Sequence, residues 1–267
     1  MTDSPLYVAS ADGTRIAYEI AGSGPHVVIV GGAFGTRVDA RELADALSGQ
    51  FTAVCYDRRG RGDSGDTQPY APEREIDDLR AVIDAIGGSA CVYGHSSGGA
   101  LSLDAVAAGL PISKVGVYEP PFTVDDSRPP YPDGFVETLR GLVESGRRGD
   151  AVAEFYRTAL LMPEPVIEQQ RQAPEWPRLE SLAHTLLYDF AILGDRISGR
   201  PPPSSWAESI TVPVLILEGG ASPPTLRNVT AALASLLPNT SLRTLEGQGH
   251  GAPVDVLAPI LESFFRD

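Results

Sequence analysis

The sequence predicts an α/β fold: an eight-stranded, mostly parallel sheet flanked by helices, interrupted late in the chain by a helical insertion. Three observations carry this expectation. Short apolar runs recur along the chain, as strands covered on both faces of a parallel sheet require. Helix-period patterns alternate with them, which implies crossover connections. One stretch, 122–206, has no β-branched runs and is punctuated by prolines. At 267 residues, one large unit with an insertion fits better than several small domains. The core is expected over 1–121 and 207–267, the insertion over 122–206.

The elements follow in order. The chain opens on a hairpin, LYVAS turning at Asp12-Gly13 into the alternating stretch Arg15–Ile20. HVVIV (26–30) is a continuous apolar run between Gly24-Pro25 and Gly31-Gly32. Equivalent runs are FTAVCY (51–56), ACVY (90–93), KVGVY (114–118), PVLIL (213–217) and SLRTLE (241–246). Between them, residues 72–86 begin with Pro72 in the first turn and repeat apolar side chains at Ile76, Leu79, Val82, Ile83 and Ile86. Gly87-Gly88 stops that helix. Residues 97–108 and 225–237 show the same period, and within the insertion so do 150–161 and 178–193. The insertion is too long and too periodic for a loop.

Composition narrows the function. With 35 acidic against 21 basic residues the formal charge is −14, which repels phosphate backbones and anionic lipid, so neither nucleic acid nor a membrane surface is an expected partner. Lys114 is the only lysine. Cys55 and Cys91 sit inside apolar runs and read as core thiols rather than a disulfide. No C-x-x-C or H-x-x-x-H spacing supports a metal site. The opening MTDSPLYVASADG has no basic start and no apolar stretch, so no secretory leader is expected. No apolar run approaches the roughly 18 residues of a membrane span. A cytoplasmic protein is the expectation, and the sequons at Asn228 and Asn239 then carry no weight.

The chemistry concentrates at Gly94-His95-Ser96-Ser97-Gly98-Gly99. This is G-x-S-x-G directly after an expected strand and directly before an expected helix. A sharp strand-to-helix turn lifts the serine hydroxyl clear of the sheet, and the glycines let strand and helix pass it. The helix N-terminus beneath adds N–H groups and a positive dipole end, both suited to developing negative charge.

On these residues the chain resembles the serine-nucleophile members of the α/β-hydrolase superfamily, over nearly its whole length. The eight expected strands match that fold, and the insertion falls after the sixth, where the family carries a helical cap. Asp57-Arg58-Arg59-Gly60-Arg61-Gly62-Asp63-Ser64 resembles the family's D-x-R-G-x-G-x-S loop after the fourth strand. The same loop spells G-x-G-x-x-G from Gly60 to Gly65, but Asp66-Thr-Gln-Pro69 follows instead of an opening helix, so a dinucleotide site is not expected.

A serine hydroxyl needs a base, most often histidine. His26 precedes the third strand, at the wrong end of a parallel sheet, and His184 lies in the insertion. His95 adjoins Ser96, and the turn aims its ring elsewhere. His250, in the glycine-flexed loop Glu246–Gly251 after the last strand, is the expected base, and the family resemblance assigns the base there too. The acid is less direct. The family usually carries Asp after the seventh strand, where this chain has Ser222. Some members use a carboxylate after the sixth strand, where this chain has Glu119. Glu119 is the expected acid; Asp189, or a Ser–His dyad without an acid, are the alternatives.

The oxyanion hole is expected from the backbone N–H groups of Ser97 and Ala33, although the family's usual H-G is Gly31-Gly32 here. Phe34 is expected to wall the substrate pocket and His95 to border it. The resemblance implies a serine hydrolase with a Ser96–His250–Glu119 triad. It would act without a cofactor on a small-molecule, mainly apolar ester shaped by cap residues such as Phe155, Tyr156 and Trp176. A cofactor-free lyase, cyclase or C–C bond hydrolase, and a ligand-binding relative with little turnover, are the rival readings. Oligomeric state is left open.

Overall fold

The computed structural model describes residues 4–266. Strands β1 (Leu6–Ala9), β2 (Arg15–Ala21), β3 (His26–Val30), β4 (Thr52–Tyr56), β5 (Ala90–His95), β6 (Ile112–Tyr118), β7 (Val214–Gly219) and β8 (Thr240–Leu245) form one sheet. Their order is β1-β2-β4-β3-β5-β6-β7-β8. The opening hairpin is antiparallel, as is the β2–β4 pair; every other pairing is parallel. All eight expected strands are present, with ends shifted by one or two residues in most cases, the usual scatter where ladder pairing rather than apolarity decides the boundary.

Alternation along the central strands divides the core in two. Val28, Val30, Val54, Val92, Val115, Val117 and Ile216 face helices α2 (Pro72–Ala85), α3 (Ser97–Ala107) and α10 (Pro224–Leu236). Val27, Ile29, Cys55, Tyr93, Leu215 and Leu217 face α1 (Arg41–Leu47) and α11 (Val254–Arg266). Both thiols are free and buried. Sequence periodicity did not single out α1 or α11. The first spans only seven residues; the second carries Pro259 inside it, whose missing N–H interrupts the ladder. The Lys114 ammonium donates to the Phe264 carbonyl at 2.9 Å, tying the end of α11 to β6.

Between β6 and β7 the chain is helical: α4 (Phe135–Glu144), α5 (Arg148–Thr158), α6 (Glu164–Arg171), α7 (Trp176–Leu182), α8 (Leu186–Leu193) and α9 (Ser204–Glu208). The single helix expected over 178–193 is two, separated by a tighter turn at Ala183–Thr185. The helix expected over 150–161 stops at Thr158, and Leu161 lies in the left-handed region (φ 54°). The segment is fastened to the core by polar and aromatic contacts. Arg196 forks onto Asp104 of α3 with both bonds at 2.6 Å, Trp206 donates to the same carboxylate at 2.9 Å, and Tyr188 stacks on Tyr70.

Leu261 is fully buried between α11 and the sheet. Leu261→Ala is expected to destabilise the protein by about 2–5 kcal/mol, read as a lower urea midpoint with an unchanged slope.

Candidate active site

β5 ends at His95 and α3 begins at Ser97, so the whole reversal falls on Ser96. Its backbone sits at φ 54°, ψ −125°, a region that non-glycine residues rarely occupy. The Ser96 N–H donates to the Tyr118 carbonyl at 2.9 Å, pinning the turn to the end of β6. Close approach explains the neighbouring glycines. A Cβ on Gly98 would stand 2.3 Å from the Val30 carbonyl oxygen, and one on Gly32 would stand 2.9 Å from the Ser96 Cβ. The β3 loop and the elbow are therefore in direct backbone contact.

Glu119 follows β6 and is fully buried, with φ 44°. One carboxylate oxygen accepts the Gly219 N–H at the end of β7 at 2.8 Å; the other lies 2.7 Å from His250 Nδ1. A carboxylate only accepts, so Nδ1 carries the proton and Nε2 presents a lone pair. The His250 side chain is 34% exposed, so that lone pair is reachable. Two bonds to carbonyls hold its loop: Tyr118 Oη donates to Gly249 O at 2.7 Å, and His95 Nε2 donates to His250 O at 2.8 Å. Ser96 Oγ and His250 Nε2 have no hydrogen-bond partner among the described residues. Elbow and imidazole share one edge of the sheet: Tyr118 holds the Ser96 amide, and the next residue holds His250.

His95 is thus committed to the backbone of the neighbouring histidine, with the two ring centroids 5.0 Å apart. Burial, followed by the proximity of His250, pushes its pKa down to about 4, so it is neutral at physiological pH. The ring also borders a cavity of about 250 Å³, together with Gly32, Ala33, Thr36, Tyr93 and Gly251. His26 lies at the amino end of β3, and His184 sits in the turn before α8, 3.9 Å from Asp66.

Asp189, the alternative acid, lies elsewhere. Its Oδ1 accepts from Arg58 at 2.9 Å, Arg61 at 2.8 Å and the Ser97 hydroxyl at 2.7 Å. Ser222 is buried, with its hydroxyl unpartnered among the described residues. The N–H groups of Ala33 and Ser97 likewise have no acceptor there. Gly35 N–H closes a turn onto Gly32 O at 3.1 Å, with Phe34 at φ 59°. Phe34 is buried edge-on against Phe155 and Tyr156 at centroid distances of 5.6 and 6.4 Å, so it links the β3 loop to the helical segment.

Sequence reading named the Asp57–Ser64 loop but gave its arginines no role. Arg58, Arg59 and Arg61 are all at most 1% exposed. Arg58 forks onto Glu75 at 2.7 and 2.8 Å and donates to Gly31 O at 3.2 Å. Arg59 forks onto Asp78 at 2.7 and 2.8 Å. Acidic residues at 75 and 78, on one face of an amphipathic helix, were the available signal. Among the described residues no helix is long and apolar enough to cross a membrane, and no cluster of three or more His, Cys, Asp or Glu could hold a metal.

Because the unfolded chain protonates His95 near 6.5 and the folded protein resists until about 4, stability falls as pH is lowered through that window. His95→Asn is expected to flatten the decline in Tm between pH 6.5 and 5, above the carboxylate range; an unchanged slope would assign the decline to other groups.

A model of the alpha/beta hydrolase family matches residues 22–259. The crystal structure of an alpha/beta hydrolase from Sphaerobacter thermophilus DSM 20745 superposes with a TM-score of 0.92 at 51% identity, covering 97% of this chain and all of that one. An esterase from Exiguobacterium antarcticum shares the fold (TM-score 0.72, 20% identity, 98% and 99% of the two chains). An uncharacterized hydrolase from Bacillus subtilis (strain 168), YraK, is 34% identical over 96 residues, a match spanning 34% of this chain and only 35% of that relative. The chain belongs to the alpha/beta hydrolase family.

Proposed function

We propose that this protein is a serine hydrolase cleaving small to medium, mainly apolar esters through Ser96, His250 and Glu119. One observation carries the reading: the fully buried Glu119 carboxylate lies 2.7 Å from His250 Nδ1. That contact fixes the tautomer, leaves the other nitrogen basic, and stabilises the imidazolium that forms when the base takes a proton. In this mechanism His250 Nε2 takes the Ser96 proton as Oγ attacks the ester carbonyl. The Ala33 and Ser97 amides receive the oxyanion, and His250 returns the proton to the departing alcohol. Water, activated by the same imidazole, then releases the acyl group.

The helical segment over 122–206 serves in this reading as a cap over the site. Phe34, Phe155 and Tyr156 pack together where the cap meets the β3 loop, an aromatic surface that in this reading favours an uncharged acyl or aryl group, and the acidic surface disfavours anions. Apolar walls of this kind set preference loosely, since one methylene is worth about 1–3 kcal/mol.

Ser96→Ala is expected to abolish turnover of p-nitrophenyl esters and labelling by a fluorophosphonate, a loss on the order of a million-fold, without changing Tm. Undiminished turnover in that variant would refute the assignment. Glu119→Gln should lower kcat by about 10³–10⁴-fold, because an amide at that place no longer enforces the tautomer. Pre-steady-state kinetics separate the rival chemistry: a burst of alcohol marks an acyl-enzyme, and its absence beside intact C–C cleavage of a vinylogous diketone would favour the C–C hydrolase.

A further inference from the structure

We infer that one buried polar knot aims both oxyanion amides, with Arg61 as the positioning residue for the Ala33 N–H and Asp189 of the cap as its anchor. The inference rests on the serine-hydrolase reading above and extends it to a residue pair outside the triad.

The start of the β3 loop has no side chains of its own to set its direction. Gly31 and Gly32 carry no side chains, and the Ala33 amide must nonetheless point at a fixed spot beside Ser96. A peptide unit is planar and trans, so its C=O and N–H point in opposite directions. Whatever grips the Gly32 carbonyl therefore sets the direction of the Ala33 N–H. Two donors grip it: the Gly35 N–H, and one end of the Arg61 guanidinium. Arg58 holds the preceding carbonyl, Gly31 O, at 3.2 Å.

The second amide is tied to the same knot. The Ser97 hydroxyl donates to Asp189 Oδ1 at 2.7 Å, and that same oxygen accepts from the other end of Arg61 at 2.8 Å and from Arg58 at 2.9 Å. One carboxylate oxygen thus links the start of α3 to the guanidinium that orients the β3 loop. Charge balance makes the link specific. Arg58 also has Glu75 as a carboxylate partner, whereas Asp189 is the carboxylate paired with Arg61 among the described residues. Burial acts to raise the Asp189 pKa, but the Arg61 and Arg58 guanidiniums hold it below the usual carboxylate range, so the anchor stays ionised. Asp189 belongs to α8, within the helical segment. Seating that segment on the core and assembling the oxyanion hole are consequently one event.

The test uses Arg61→Met, Arg61→Lys and Asp189→Asn. Each is measured for kcat and KM with a p-nitrophenyl ester, Ki of a trifluoromethyl ketone that forms a charged tetrahedral adduct on Ser96, and Tm. Arg61→Met should lower kcat about 100-fold and weaken the ketone by a similar factor, with KM within twofold of wild type. Arg61→Lys, which keeps one donor, should restore at least tenfold of the loss. Should Arg61→Met fail to fold, Asp189→Asn decides on its own, with an expected loss of about tenfold in kcat and in ketone affinity together. Folded variants with kcat and ketone affinity within twofold of wild type, or with the whole change in KM, would overturn the inference while leaving the serine mechanism standing. A wild-type protein that neither turns over the ester nor binds the ketone would instead overturn the mechanism and the inference with it.

Discussion

The reversal at Ser96 is the constraint from which the rest of the site follows. A side chain forced into the left-handed region is tolerable only where surrounding backbone overdetermines it. Here β5 enters from the middle of the sheet, α3 leaves at once, and the Tyr118 carbonyl holds the amide between them. Strand order supplies the space. β4 and β5 lie on opposite sides of β3, so the chain leaves β3 and β5 in opposite directions, and beyond the point where their two turns touch a crevice opens at the carboxyl edge, the position where open α/β sheets take ligands. Glycines at 32 and 98 are the cost of letting two turns meet there without intervening side chains.

A second theme is how an acidic protein uses arginine. The surface carries a large negative excess, yet Arg37, Arg58, Arg59 and Arg61 are all buried. Each meets carboxylates: Arg37 with Glu19, Asp57 and Asp63, Arg58 with Glu75 and Asp189, Arg59 with Asp78 and Asp12, Arg61 with Asp189. Buried pairs of this sort add little net stability over apolar packing, but losing one partner is expensive. Their geometric value is greater. A guanidinium is a planar fork with fixed donor directions, so it can hold a carboxylate with one edge and a backbone carbonyl with the other. A lysine could not do both from one place.

Much of this architecture was legible in the amino-acid order. Strands covered on both faces announce themselves by unbroken apolar runs, and the elbow by glycines bracketing a serine at a strand-to-helix junction. Glu119 was nameable because the expected carboxylate after β7 was missing and one followed β6. Long-range pairing was not legible. Nothing local says that Asp189, far along the chain in a helix of nearly uniform hydrophobicity, meets Arg58 and Arg61, or that His95 holds the backbone of His250. The split of 178–193 into two helices at Ala183–Thr185 was hidden for a related reason, since Leu179, Leu182, Leu186 and Leu187 keep helical spacing across the turn and periodicity alone cannot register the break.

The solitary lysine offers a last consequence. Lys114 lies near the start of β6, whereas Glu119 follows that strand's far end, so five residues of extended backbone, roughly 16 Å, separate its Cα from the edge that carries Ser96 and His250. Its nitrogen is already engaged by the Phe264 carbonyl and ring. Amines are the natural trap for activated carbonyl compounds. Under the acyl-transfer reaction proposed above, that distance would keep the chain's one lysine amine from capturing the acyl group.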